Sequence, residues 1–252
     1  MATIPIPGLE MVGELDLPSS GHMALDEVLL DAVADGRRPP LLRFWGWIQP
    51  TLVLGSNQAV SNELDLPAVE RRGFTIVRRL SGGGTMLAEP GRTITWSLVT
   101  PVRPVAGMSF IESFAHLDHW AVETLRSLGV DAGYRPINDI VSPSGKIAGA
   151  AQARRRGALL HHVTMAYSMD PALLSELIRI GRPSVSDRGV RSAEKGVSPL
   201  DTLLALPRAE VVSALAAASG AGPGRLDTAE LEAASALAAS KYERHDWIYR
   251  LP

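Results

Sequence analysis

Three stretches of this 252-residue chain place side chains where chemistry is possible. The first is Arg78-Arg79-Leu80-Ser81-Gly82-Gly83-Gly84, which follows a short apolar run. Successive glycines let a backbone approach a ligand closely and turn several amides inward as an anion nest, and adjacent arginines can pair with phosphate or carboxylate. Taken alone, the triplet is better explained as a tight hairpin turn with two solvated arginines. No Gly-Lys-Ser/Thr follows, and the next segment, TMLAEPGRTITWSLV, reads as strand rather than helix. A phosphate-bearing ligand would therefore be cradled by a loop between strands, not by a helix N-terminus.

The second stretch is Asn138-Asp139-Ile140 followed by Gly145-Lys146-Ile147-Ala148-Gly149-Ala150-Ala151-Gln152. A lysine in an otherwise small and apolar run has little reason to be there unless it neutralises an anion. The plainer alternative is a lysine at a hairpin tip, with SPSG as the turn. Asp139 can ligate magnesium, orient Lys146 or cap a turn, and spacing does not choose among these. The third stretch opens with His161 and His162. Neighbours on a strand point to opposite faces, so at most one of them faces a site, and no further ligand lies at metal spacing. Arg154-Arg155-Arg156 before Gly157 reads as a solvated turn, with docking of an acidic partner domain as the functional option. Trp45 and Trp47 read as core and edge aromatics that can also wall an acyl pocket.

These side chains must be positioned by a folded chain with ample core material: 46% of the residues are hydrophobic and the formal net charge is -2. The near-neutral balance offers no field for nucleic acid or an anionic membrane. No apolar run reaches a membrane span, and the acidic start MATIPIPGLEMVGELD is not a signal peptide, so a cytoplasmic protein is expected. The absence of cysteine removes disulfides, thiolate metal sites and every route through a cysteine thioester. Strands are expected at Leu41 to Trp45, Thr51 to Leu54, Phe74 to Arg79, Thr93 to Thr100 and Val163 to Met169. A helix is expected from Ser109 to Leu128, where Phe110, Phe114, Leu117, Ala121, Leu125 and Leu128 share a face and Ser109 with Glu112 forms a capping box. Further helices are expected from Asp170 to Gly181 and from Asp227 towards Lys241. The result is an α/β (α+β) chain, one catalytic domain over residues 1–252, with helices flanking a central sheet. Residues 181–199, rich in Gly, Ser and Arg, are expected to form a mobile surface loop.

Taken in order, SSGHMALDEVLL, LLRFWGWIQPTLVLGSNQ, RRLSGGG, the NDI and GKIAGAAQ blocks, HHVTMAY and KYERHDW resemble the lipoate-protein ligase and octanoyltransferase superfamily, whose fold is shared with biotin protein ligase. The resemblance runs from about residue 19 to residue 250. It implies a central mixed sheet and an enzyme that forms or uses lipoyl-AMP or octanoyl-AMP and passes the acyl group to the lysine of a lipoyl carrier. The implied carriers are a 2-oxoacid dehydrogenase E2 domain or the glycine cleavage H protein. ATP, Mg2+ and lipoic or octanoic acid are the implied small molecules. The adenylate would lie on Arg79, Gly82, Gly83, Gly84, Thr85, Met86, Leu87, Asn138, Asp139 and Lys146. The acyl group would lie on Arg43, Trp45, Gly83, Lys146, Gly149, His161 and His162. Lys146 would stabilise the anhydride and then the oxyanion, and Asp139 is the candidate magnesium ligand.

The chain departs from the family where His-Asp and then Asn are usual after the glycines: here stand Ala88-Glu89 and Arg92-Thr93. Its front half is closest to octanoyltransferases that use a cysteine, and that residue is missing. Direct transfer from an adenylate is therefore expected, with octanoyl transfer from acyl carrier protein without a thioester, or a non-catalytic lipoate or lipoyl-AMP binder, as alternatives. A monomer is expected, with no accessory domain after the KY…W block and a separate accessory protein as a possible partner.

Overall fold

Strand and helix signals resolve into two sheets in the computed structural model, which describes residues 3–252. The chain runs through β1 (Glu10–Leu17), α1 (Ser19–Ala34), β2 (Leu41–Trp47), β3 (Thr51–Leu54), α2 (Val60–Glu63), α3 (Leu66–Arg72), β4 (Thr75–Arg78), β5 (Met86–Ala88) and β6 (Thr93–Pro101). It continues with α4 (Phe110–Ser127), β7 (Gly133–Arg135), β8 (Asp139–Ser142), β9 (Gly145–Arg155), β10 (Ala158–Ala166) and α5 (Pro171–Leu177). Last come α6 (Arg208–Ala218), β11 (Gly222–Pro223), α7 (Thr228–Leu237) and α8 (His245–Ile248). The larger sheet has eight strands in the order β11-β1-β2-β6-β10-β9-β8-β7, and the smaller has three, β4-β3-β5. β1 pairs parallel with β2 whereas β2, β6, β10 and β9 pair antiparallel, so the sheet is mixed.

Strand alternation sorts the larger sheet's side chains into two cores. Leu42 and Phe44 of β2 join Trp96, Leu159, Val163 and Met165 beneath Leu117, Trp120 and Leu125 of α4 and Leu215 of α6. Leu41, Trp45 and Trp47 point the other way and pack with Leu25, Leu29 and Leu30 of α1 and Ala234 of α7. A third cluster, built on Leu52, Leu54, Val60, Leu64 and Leu87, joins the small sheet to Leu177 of α5. Each fully buried large side chain contributes roughly 1.5–3 kcal/mol, so both faces of the larger sheet and the small sheet are each held by a core of their own.

Local signals hold where they are strongest. Ser109 accepts from the Glu112 amide at 3.2 Å and Glu112 accepts from the Ser109 amide at 2.8 Å, which completes the capping box of α4. Asp227 and Glu230 do the same for α7. β10 begins at Ala158, earlier than Val163, because it pairs with β6 along its whole length, Ala158 opposite Pro101 to Ala166 opposite Thr93. α5 ends at Leu177, short of Gly181, because Ile178 turns away to bridge Leu64. Residues 181–199 are irregular but tied down. Asn62 Oδ1 accepts from the Val185 and Ser186 amides at 2.7 and 3.0 Å, and the Val190 amide donates to the Asn57 carbonyl at 2.8 Å. The Lys146 amide donates to the Gly196 carbonyl and receives Ser198 at its own carbonyl, both at 2.8 Å.

Candidate active site

Between the α1 face of the larger sheet and the small sheet lies a cavity of about 510 Å3, within the range of small-molecule sites. One end is walled by Met23, Trp45, Val53, Thr95, His162 and Thr164. Gly82 to Leu87 form one flank, Lys146 to Gln152 the other, and Val190 to Ser192 with Lys195 lie across them.

Arg79 shapes the glycine loop from beneath. Its guanidinium donates to the Val53 carbonyl at 3.2 Å, Gly82 at 2.6 Å and Gly84 at 2.8 Å, and to Ser81 Oγ at 3.0 Å. Arg78 likewise serves the carbonyls of Gly55, Gln58 and Ile248. Neither arginine pairs with a carboxylate, so each is a buried cation solvated by main chain, and burial pushes both down to about 10. Arg79, expected at the adenylate, does line the cavity but spends its donors on the loop, so its charge reaches a ligand as a field; neither arginine is the solvated one that a plain turn would give. Gly83 sits at φ +91°, and a Cβ on Gly55 would lie 2.1 Å from the Gly83 carbonyl, so the loop packs against a neighbour that has no room for a side chain. The amides of Gly82, Gly83 and Gly84 make no hydrogen bond within the described residues. They are donors left for a ligand, as an anion nest requires.

Opposite the loop, Lys146 opens β9. Its Nζ lies 2.9 Å from Oδ1 of the buried Asp139, and Lys195 from the overlying loop reaches Oδ2 at 2.5 Å. One carboxylate between two ammonium groups leaves a net positive centre. Burial lowers the Lys146 pKa, Asp139 opposes that shift, and Lys195 and Arg79 reinforce it. A Cβ on Gly149 would come within 2.4 Å of Lys146 Nζ, so the glycine is what lets the lysine lie flat over the strand and face the cavity. Asp139 does not fit the magnesium role given above. Both its oxygens face ammonium groups, and no cluster of three His, Asp or Glu side chains exists among the described residues. Asn138 lines the cavity and is tied to the Ala150 carbonyl.

The two histidines separate as their strand demands. His162 lines the cavity, with Nδ1 2.9 Å from Asp26 Oδ2 and Nε2 2.6 Å from Ser81 Oγ. His161 points to the other face, where Nε2 meets Asp118 of α4 at 2.7 Å, so its assignment to the acyl site is corrected to a buried tie between helix and sheet. Arg43 is also corrected. It is fully buried, donates to Asp26 at 2.6 Å and to the His22 carbonyl at 3.0 Å, and its Cζ lies 4.5 Å from the Trp45 ring centre. Its work is to charge-balance Asp26 and brace Trp45. Burial raises the Asp26 pKa, but Arg43 and His162 together bring it below the ordinary carboxylate range. Burial lowers the His162 pKa, against the opposing pull of Asp26. Carboxylate, imidazole and hydroxyl are in line as in a serine relay, yet Ser81 is buried, is not part of the cavity wall and accepts from Arg79. The chain of bonds orients the glycine loop; it does not present a nucleophile.

Residues 19–219 match the family model described as lipoyl protein ligase A/B catalytic domain. The chain belongs to that family. The octanoyltransferase LipM of Kyrpidia tusciae is 33% identical, covering 91% of this chain and 94% of that protein, and the LipM of Geobacillus kaustophilus is 30% identical over 92% and 95%. A crystal structure of lipoate-protein ligase A bound with ATP superposes with a TM-score of 0.80 at 25% identity over all of both chains. A bi-partite lipoate protein ligase from Thermoplasma acidophilum superposes at 0.80 with 24% identity, over 97% and 98%. This lipoyl protein ligase A/B domain is an enzyme of the lipoate ligase and octanoyltransferase family, with the mixed α/β architecture of its structural relatives.

Three residues in or behind the ligase-family cavity were not singled out from the sequence. Lys195 is one of only three lysines beside 22 arginines, a rarity that could have singled it out. Glu63, 2% exposed, accepts from Thr85 Oγ1 at 3.1 Å and from the Ser192 amide at 2.9 Å. Asp26 lies on α1 among Met23, Ala24 and Leu25 and is 1% exposed, and its partners Arg43, Ser97 and His162 come from β2, β6 and β10, which no local spacing shows.

Proposed function

We propose that the chain transfers an octanoyl or lipoyl group from an already activated donor directly to the lysine of a lipoyl carrier domain, without an acyl-enzyme intermediate. The observation that carries this reading is Lys146, held 2.9 Å from Asp139 on the cavity flank opposite the glycine loop, in a chain with no cysteine. The acyl tail lies at the Met23–Trp45–Val53 end, where each buried methylene contributes about 0.8 kcal/mol. The carbonyl lies between Lys146 and the free amides of Gly82 to Gly84. The carrier amine, having lost a proton to solvent, attacks the carbonyl carbon, the new C–N bond forms, and charge gathers on the carbonyl oxygen beside the Lys146 ammonium. Collapse breaks the bond to the leaving group, which departs as AMP from an acyl adenylate, and the amine sheds its second proton. The residues fit an adenylate phosphate through the same amides with Lys146 and Lys195. They fit magnesium at Asp139 poorly, so no step is routed through a metal.

A second reading, octanoyl transfer from the thioester of acyl carrier protein, is favoured by the similarity to the octanoyltransferases LipM. The leaving group is then a thiol, and the same two sides of the cavity serve the oxyanion. The deciding experiment incubates the protein with an apo E2 lipoyl domain or apo H protein and, in separate arms, octanoyl-AMP, octanoate with ATP and magnesium, and octanoyl carrier protein. Carrier mass reads the transfer. Transfer from octanoyl-AMP that outpaces the other arms is expected. Transfer from none of the three overturns the reading and favours a binder of the acyl group.

A further inference from the structure

The carrier lysine must enter the cavity from solvent, and its door is marked by residues that both line the cavity and are exposed. Phe110, at the start of α4, Ile137, between β7 and β8, and Val190 of the overlying loop do so, with exposures of 59%, 58% and 55%, and the first two have a further exposed apolar neighbour. Ile111 is 43% exposed beside them. Tyr134 donates its hydroxyl to the carbonyls of Ile111 and Ile137, so the two elements form one braced patch. Three of the eight exposed large apolar side chains of the described residues gather here, which is the pattern of a binding face rather than of scattered surface.

The patch has a basic edge. Arg154 holds its Cζ 4.6 Å from the Phe110 ring centre and donates to Ser113 Oγ at 3.0 Å, and Arg135 is exposed at the end of β7. Arg155 and Arg156 are spent on Glu27, Asp31 and Asp35, so the three-arginine run offers only Arg154 to a partner. Of the nearby acids, Glu112 is bound to the Ser109 amide and Asp139 to two lysines. Ile137 precedes Asp139 by two residues, a span of roughly 7 Å, and Asp139 holds Lys146. A surface seated on the patch is thus within one lysine side chain of the reaction point.

Resting on the transfer reading above, we propose that Phe110, Ile111 and Ile137, edged by Arg154 and Arg135, form the docking face for the carrier domain, whose acceptor lysine must reach into the cavity beside it. Continuity with the cavity mouth selects this occupant over a second copy of the chain, whose matching arginines would repel.

The test uses Ile111→Asp and Arg154→Glu, which lie outside the cavity wall. Titration calorimetry with apo H protein or apo E2 lipoyl domain reads docking without any donor. It is paired with acyl transfer from octanoyl-AMP or octanoyl carrier protein to that carrier and to hydroxylamine, a nucleophile that needs no docking. Each variant is expected to weaken carrier binding and raise the carrier KM by about tenfold, with hydroxylamine transfer unchanged. Carrier affinity equal to wild type in both variants overturns the docking face while leaving the transfer reading intact. A wild-type protein that binds carrier with the expected variant losses, yet acylates neither acceptor, overturns the transfer reading alone. Sedimentation showing a dimer that Ile111→Asp dissolves would give the patch to a second copy and also overturn the proposal.

Discussion

Replacing Lys146 by Met removes the ammonium and keeps the stem, and the structure sets the expected size of both consequences. For stability, Asp139 is the residue at risk, since a buried carboxylate that loses its only partner costs several kcal/mol. Here it keeps Lys195 at 2.5 Å. The lost pair joins a 1% exposed carboxylate to a 26% exposed lysine side chain, so its loss falls between the scales of exposed and buried pairs, about 1–2 kcal/mol, a fall in Tm of roughly 2–8 °C. For catalysis, the loss of one preorganised oxyanion partner costs about 10²–10³ in rate, or about 3–4 kcal/mol. Single-turnover acylation of apo carrier at saturating octanoyl-AMP, followed by mass, measures that loss. Lys195→Met is the comparison: it removes the ammonium placed at the adenylate phosphate, so it should weaken octanoyl-AMP binding yet lose much less rate at saturating octanoyl-AMP. A folded Lys146→Met protein that transfers within about threefold of wild type would refute the assignment. The wild-type pH profile adds a sign. Burial lowers the Lys146 pKa, so transfer that needs the ammonium should fall as pH rises through a value below the ordinary 10.5, and this limb should vanish in the variant.

Gly83→Val should abolish binding of octanoyl-AMP by calorimetry, because a β-branched residue at φ +91° is strained and the nest must reshape; unchanged affinity would make the loop a plain turn. Asp26→Ala leaves Arg43 buried without its carboxylate and His162 without its orienting partner, so a loss of about 3–5 kcal/mol in denaturant unfolding is expected, and a loss under about 1 kcal/mol would show that the pair is not charge-balanced as drawn. Chelation should leave transfer from preformed octanoyl-AMP unchanged, since Asp139 is occupied by ammonium groups; a rate restored only by added magnesium would show that the carboxylate swaps partners.

What the sequence showed, it showed through short-range chemistry. The α4 and α7 capping boxes, the turn before Lys146 and the glycine triplet are each written within a few residues, and each stands in the structure. What it hid depends on residues brought together by pairing. His161 and His162 are adjacent in the chain, and only the register of β10 against β6 and β9 decides which one meets the cavity. β9 is made largely of glycine and alanine, poor strand formers alone, and is a strand because neighbours pair on both sides. Arg79 reads as an anion-binding arginine in sequence, but a buried guanidinium takes whatever acceptors surround it, and here those are carbonyls.

The division of labour between the two cation types follows from their shapes. The chain uses arginine for 22 of its 25 basic residues, yet both cations that close on Asp139 are lysines. A guanidinium is a planar fork that would grip Asp139 with two parallel bonds and leave its remaining donors fixed in one plane. An ammonium is a compact charge with three donors, so Lys146 can spend one on Asp139 and aim another at an oxygen whose position shifts as the carbonyl becomes tetrahedral. It also leaves the space beneath it small enough for Gly149 and the strand to pass. Arginine suits the opposite task, and Arg78 and Arg79 perform it, each locking several fixed carbonyls of the glycine-loop region at once. One wall of the cavity is rigid by arginine and the facing charge adjustable by lysine. Lys146→Arg should therefore be a poor substitute despite keeping the charge: it is expected to retain Tm and lose most of the transfer rate, and full activity in that variant would show that charge alone suffices.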